Sequence, residues 1–191
     1  MDDPDYAAKY DEPYGDDKIP RMAKQMVDAR HVAGKRGEYI GMALQGDPLS
    51  IGGQLGMFGY STPWLSQRIA LAGLAGTGAR DMYVGADAGL RAQLPSRLAP
   101  FVGVGTFVGY NERKVDASND WIDNDTDGSV DEFGEKDKVY GFMAAAYPEL
   151  GVHLWLNGHL RLTASGSYYI TTDGRDTDFW FFNLQLGGLR Y

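Results

Sequence analysis

Three groups of side chains in this 191-residue chain have the types and spacing to do chemistry. The first is Asp123-Asn-Asp125-Thr-Asp127-Gly128-Ser129-Val130-Asp131-Glu132. Carboxylates at alternate positions can wrap oxygens around a hard cation, and the glycine after them allows the sharp turn that EF-hand-like calcium loops share. Val130 stands where such loops carry an apolar anchor, but the twelfth position, which should hold a bidentate Glu, is Gly134. A shorter loop using Asp131 or Glu132 instead would give a Ca2+ ligand set of Asp123, Asp125, Asp127, Ser129, Asp131 and Glu132, with the weak affinity typical of extracellular modules. The competing reading is a solvated acidic loop. The second group is Glu149 and His153, with Arg161, Asp87 and Arg91 on neighbouring segments. A carboxylate and an imidazole can serve as general acid and base, although paired charges of this kind more often satisfy one another. The third group, Gly103, Gly105 and Gly109, superficially matches a nucleotide-binding fingerprint, but no helical pattern follows it. Gly73, Gly76 and Gly78 likewise lack a following Lys-Ser/Thr pair, so neither glycine set reads as a phosphate cradle.

Composition removes other chemistries. Cysteine is absent, which excludes a disulfide framework, a cysteine zinc site and a thiol nucleophile. His31 and His159 have no metal-ligand spacing to unite them. The net charge of -8 argues against non-specific nucleic-acid binding, which needs a basic surface to displace phosphate counterions.

The elements that must position these groups are visible in the charge distribution. Residues 1–38 hold 9 acidic and 7 basic side chains, and residues 111–138 hold 10 and 4. The rest of the chain carries only 7 acids and 7 bases, too few for a water-facing surface. No apolar run approaches the 18 or so residues of a membrane-spanning helix. A spanning β-strand, however, needs only about 9 to 11 residues and alternates lipid-facing with lumen-facing side chains. From Tyr83 to Leu94 one face reads Val84, Ala86, Ala88, Leu90, Ala92 and Leu94, while Asp87 and Arg91 lie on the other. From Leu160 to Ile170 the apolar face is Leu160, Leu162, Ala164, Gly166, Tyr168 and Ile170, opposite Arg161. From Tyr140 to Leu156 the alternation outlasts one crossing, so part must protrude or bend near Pro148, which lacks a ladder donor.

Five further segments complete a set of eight: 38–45, 49–60, 67–75, 99–110 and 178–191. Turn residues separate them, among them Gly46-Asp47-Pro48, Ser61-Thr62-Pro63, Pro95-Ser96, Asn157-Gly158 and Asp173-Gly174. Strands joined so tightly are antiparallel neighbours. The expected fold is therefore all-β, an eight-stranded antiparallel up-and-down transmembrane β-barrel over residues 38–191. Tracing the chain from one side puts Tyr110, Tyr140, Phe142, Tyr168, Trp180 and Phe182 at one rim of the apolar face, as an interfacial girdle requires. The long acidic loop 111–137 falls at that rim and the short turns at the other.

The strand Pro100–Tyr110, the segment Pro148–Leu162 and the terminal Phe181–Tyr191 resemble small eight-stranded bacterial outer-membrane barrels of the OmpA/OmpX/OmpW-like kind, and more narrowly uncharacterised barrels of planctomycete-type bacteria. The resemblance implies the outer membrane of a Gram-negative-type bacterium, membrane lipid as the partner, possible lateral association with other envelope proteins, and a terminal aromatic insertion signal at Tyr191. Leu189 and Tyr191 fall out of phase with Leu184 and Leu186, and a β-bulge at Gly187-Gly188 would restore it. The expected role is structural or surface-exposed and not that of a general porin, because side chains fill so narrow a lumen. No catalytic residue is assigned. The alternatives are a lipid-modifying barrel enzyme using Glu149 and His153, for which no serine nucleophile motif appears, and a soluble lipocalin-like carrier, which would need the opposite distribution of charge. Residues 1–37 read as an extended or disordered acidic segment with a short periplasmic helix at about 19–33. The start lacks a cationic, apolar secretion signal, so Met1 is expected to begin a trimmed or recombinant mature form.

Overall fold

The computed structural model describes residues 28–46, 49–76, 82–116, 121, 128 and 136–190. Eight strands are built from them: β1 (Arg36–Gln45), β2 (Ser50–Thr62), β3 (Leu65–Gly76), β4 (Met82–Gln93), β5 (Leu98–Asp116), β6 (Lys136–Trp155), β7 (Leu160–Thr171) and β8 (Phe179–Arg190). Each pairs antiparallel with its chain neighbours, and β8 pairs with β1 from Arg36↔Arg190 to Gln45↔Phe181, which closes the barrel and removes its edges. Side chains cap the turns that make such pairing possible. Thr62 Oγ1 accepts from the Trp64 and Leu65 amides, and Asn157 Oδ1 accepts from those of His159 and Leu160.

The surface is inverted relative to a soluble domain. Ile40, Leu55, Leu71, Val104, Leu150 and Leu184 all face outward, Leu71 at 69% exposure, while Arg68, Asp87, Arg91, Glu149 and Arg161 are buried inside. The two faces of β4 divide as the alternation predicts, with Val84, Ala86, Ala88 and Leu90 outside and Tyr83, Asp87 and Arg91 inside. At one rim Tyr110, Tyr140, Phe142, Trp180 and Phe182 are exposed, and the Tyr168 ring packs 5.2 Å from that of Trp180.

Three expectations need correction. The β5–β6 ladder runs on to Asp116↔Lys136, whereas β4 stops pairing at Met82↔Glu112 and β7 at Ala145↔Thr171. The ends of the expected loop 111–137 are therefore strand, rising beyond the barrel as a two-stranded ribbon. Its charged sequence hides it, since a ribbon clear of the core has no apolar face to reveal a period of two. No bulge occurs at Gly187-Gly188, because β8 pairs in unbroken register with both β1 and β7. Leu189 keeps its phase and packs inward against an apolar cluster at the short-turn mouth. The chain at Arg30–Val32 forms a single 3₁₀ turn, not the end of a longer helix. The remainder of the expected helix, 19–27, and Tyr191 lie outside the described residues. Pro148 behaves as expected, leaving a gap in the β6–β7 ladder between Ala146↔Ile170 and Glu149↔Ser167 without changing register.

The interior is stacked along the barrel axis. An apolar cluster containing Tyr83, Phe107, Met143, Tyr169, Phe179 and Phe181 fills the long-loop end. A second, with Tyr39, Phe58, Tyr60 and Trp155, fills the short-turn end, where Ala29 and Val32 close it. Charged residues lie between. Glycine makes room for the rings: a Cβ on Gly105 would stand 2.3 Å from the Tyr147 hydroxyl and 2.4 Å from its ring carbon Cζ.

Candidate functional site in the barrel lumen

Asp87 and Arg91 point inward from β4 because they are four residues apart on a strand of period two. Arg68 projects from β3, and Tyr147 and Glu149 project from β6. Closure of the barrel brings these five together. Arg91 grips Glu149 bidentately, Nε to Oε2 at 2.9 Å and Nη2 to Oε1 at 2.7 Å. Arg68 pairs with Asp87 through Nη1, donates to the Tyr147 hydroxyl through Nη2 at 2.6 Å, and holds Nε 3.7 Å from Glu149. The other Asp87 oxygen accepts from the Tyr147 and Tyr169 hydroxyls. Both carboxylates are thus buried, paired and hydrogen-bonded, the condition under which charge is tolerated away from water.

Beside this network the Arg91 guanidinium lies 4.6 Å over the Phe101 ring, which stacks on His153 at 4.4 Å. His153 is 0% exposed, and its Nδ1 is 2.8 Å from Thr163 Oγ1. Glu149 and His153 share the inward face of β6 four residues apart, Glu149 held by Arg91 and His153 set between Phe101 and Thr163. Arg161 occupies the next layer. It donates to the Tyr60 hydroxyl, and its guanidinium carbon lies 3.9 Å over Phe58, 5.7 Å from the Tyr60 ring and 5.8 Å from that of Trp155.

All five polar residues anticipated for the lumen, Asp87, Arg91, Glu149, His153 and Arg161, face it. Arg68, its tyrosine partners Tyr39 and Tyr147, and Tyr169, which donates to Asp87, were not anticipated as site residues. Their signal is faint: Arg68 shares its face with Ala70, Ala72 and Leu74, so β3 is apolar on both sides, and tyrosines occur on both faces of the barrel. The calcium set Asp123, Asp125, Asp127, Ser129, Asp131 and Glu132 lies outside the described residues. Among the described residues no cluster of His, Asp and Glu is arranged to hold a metal.

The short-turn mouth is closed by residues 28–35. The Ala29 amide donates to the Pro95 carbonyl at 3.0 Å, Gly34 to Tyr60 at 2.8 Å, and Tyr60 back to Lys35 at 2.9 Å. Val32 is fully buried. The His31 ring meets Trp155 edge-on at 5.6 Å, with Nε2 3.2 Å from the Gly158 carbonyl. Burial, reinforced by the Lys35 charge, lowers the His31 pKa against the opposing pull of the Gly158 carbonyl and Asp28.

A closed eight-stranded antiparallel barrel with an apolar exterior and a charged interior is an outer-membrane-type fold. No known family profile matches the chain. No curated protein matches its sequence. Its structure is similar to the N-terminal β-barrel domain of Pseudomonas aeruginosa OprF, with a TM-score of 0.53 and 12% identity over 83% of this chain and 98% of that one. It is also similar to Ail, the attachment invasion locus protein of Yersinia pestis, with a TM-score of 0.52 and 14% identity over 83% and 99%. At these identities the likeness is one of fold.

Proposed function

We propose that the chain serves as a sealed outer-membrane barrel with a structural or surface-exposed role, its ribbon and long loop outside and residues 28–35 on the periplasmic side. The observation that carries this reading is the filled lumen, in which two aromatic clusters sandwich the Arg68–Asp87–Tyr147–Glu149–Arg91 network. A layer of paired charges held by tyrosines leaves no broad aqueous path, which distinguishes this reading from a general porin. The apolar belt supports lipid as its partner and suits lateral contact with neighbouring barrels equally well. The full-length chain purified in detergent should migrate faster on a cold SDS gel unboiled than boiled, and should show no porin-scale conductance in planar bilayers. Steady large conductance would overturn the sealed lumen, and a chain that stays monomeric in plain buffer would overturn the membrane reading.

The same reading assigns the 123–132 loop to calcium, on the strength of its alternating carboxylates and Gly128. Millimolar calcium should protect this loop from protease in the wild type and not in the Asp125→Asn/Asp127→Asn variant. Equal cleavage of both, with and without calcium, would remove the metal from the proposal.

A further inference from the structure

Five charged residues are buried among the described residues: Arg68, Arg91 and Arg161 on one side of the balance, Asp87 and Glu149 on the other. The network consumes both carboxylates, and Arg161 forms no ion pair among the described residues. Among those residues its one polar contact is Nη1 to the Tyr60 hydroxyl, and its Nε–H has no acceptor. Trp155, directly opposite Arg161 in the β6–β7 register, also has an Nε1–H without an acceptor, although the residue is 1% exposed. One inward step along β6, His153 Nε2 is buried without a partner. When Thr163 donates to Nδ1, Nε2 carries the ring proton and is a third donor.

We propose that Arg161, Trp155 and His153 form a binding site for a small monovalent anion of the chloride class. The donor set decides the chemistry. Arg161 and Trp155 offer N–H bonds beside an uncompensated positive charge, which suits an anion; a cation would need acceptors alone, and a water would need the opposite His153 tautomer, with Nε2 accepting. Size is restricted by the walls. The Phe58 ring lies against the guanidinium, Tyr60 and Trp155 flank it, and Val32 seals the mouth, so a large polyatomic anion is excluded. The competing arrangement is an Arg161 stabilised by the three rings alone.

The test is a halide titration of the full chain folded in detergent micelles, with gluconate replacing chloride at constant ionic strength. Binding to the folded state alone makes the folding constant rise up to tenfold for each tenfold increase in chloride above the dissociation constant. The wild type should show that saturable, chloride-specific rise, Trp155→Phe should need several-fold more chloride, and Arg161→Met should lose the response and be less dependent on salt identity. Trp155→Phe keeps an aromatic ring and removes one donor, so it remains informative if Arg161→Met does not fold. Bromide should give an anomalous scattering peak within hydrogen-bonding distance of Arg161 and Trp155 Nε1. A wild type indifferent to chloride against gluconate, or an equal response in wild type and variants, would overturn the site and leave the aromatic box as the whole account of Arg161.

Discussion

The Arg91–Glu149 pair allows the lumen network to be tested quantitatively. Removing one partner of a buried ion pair strands the other charge, at a cost of about 3–5 kcal/mol. Here each survivor keeps some compensation: Glu149 retains Arg68 Nε at 3.7 Å, and Arg91 retains the Phe101 ring at 4.6 Å. Arg91→Met and Glu149→Leu should therefore each fall near the lower end, about 3 kcal/mol, a loss of more than roughly 100-fold in the folding constant. The double variant strands no charge and fills the space with apolar atoms, a replacement that is often nearly neutral. Its cost should be at least about 3 kcal/mol below the sum of the single costs, the signature of coupled neighbours. Reversible urea unfolding in micelles, followed by tryptophan fluorescence and by the heat-sensitive gel shift, measures all four corners of the cycle. Additive costs, or single variants within about 0.5 kcal/mol of wild type, would refute the claim that this pair is desolvated and mutually dependent.

Leu71→Arg places a charge at the most exposed outward leucine and should destabilise the barrel in lipid by about 2–4 kcal/mol, measured by unfolding from vesicles; a neutral result would argue that this face meets water. Gly105→Ala should cost about 1–3 kcal/mol by driving a methyl into the Tyr147 ring, and pairing it with Tyr147→Ala should remove that overpacking part, which the same unfolding assay resolves. The pKa of His31 is lower in the closed mouth than when the segment is free, so its contribution is present above about pH 6.5, the free value, and is lost as pH falls through the closed-state value. Hydrogen exchange at the Gly34 amide, corrected for the intrinsic rate, should therefore accelerate in acid in the wild type and not in His31→Gln; identical pH profiles would dissociate His31 from mouth closure.

The apolar and polar faces of β4 and β7, the outward aromatic rim and the placement of Asp87, Arg91, Glu149 and Arg161 in the lumen were legible because each follows from a period of two along a single strand. A chain with few charges outside 1–38 and 111–138 declares an inverted surface before any contact is known. What the alternation leaves open is which inward residues meet. That depends on how far each ladder slides against the next, a property of the closed barrel, and it is how Arg68 reaches Asp87, Tyr147 and Glu149 at once.

Leu189 makes the same point at one residue. Alternation alone casts it as out of phase and asks for a bulge, whereas in the fold it faces inward because Ala29 and Val32 supply apolar surface at the mouth. The ribbon beyond Glu112 escaped for the complementary reason, since polar strands outside the apolar belt carry no periodic signal. The sequence by itself determined the strand count, their order and which face of most strands turns outward, because those are local consequences of side-chain alternation and turn chemistry. Only the tertiary structure decided which buried charges are paired, that Arg161 is left without a carboxylate among the described residues, and that residues 28–35 close the short-turn mouth, because each depends on which segments the closed barrel brings together.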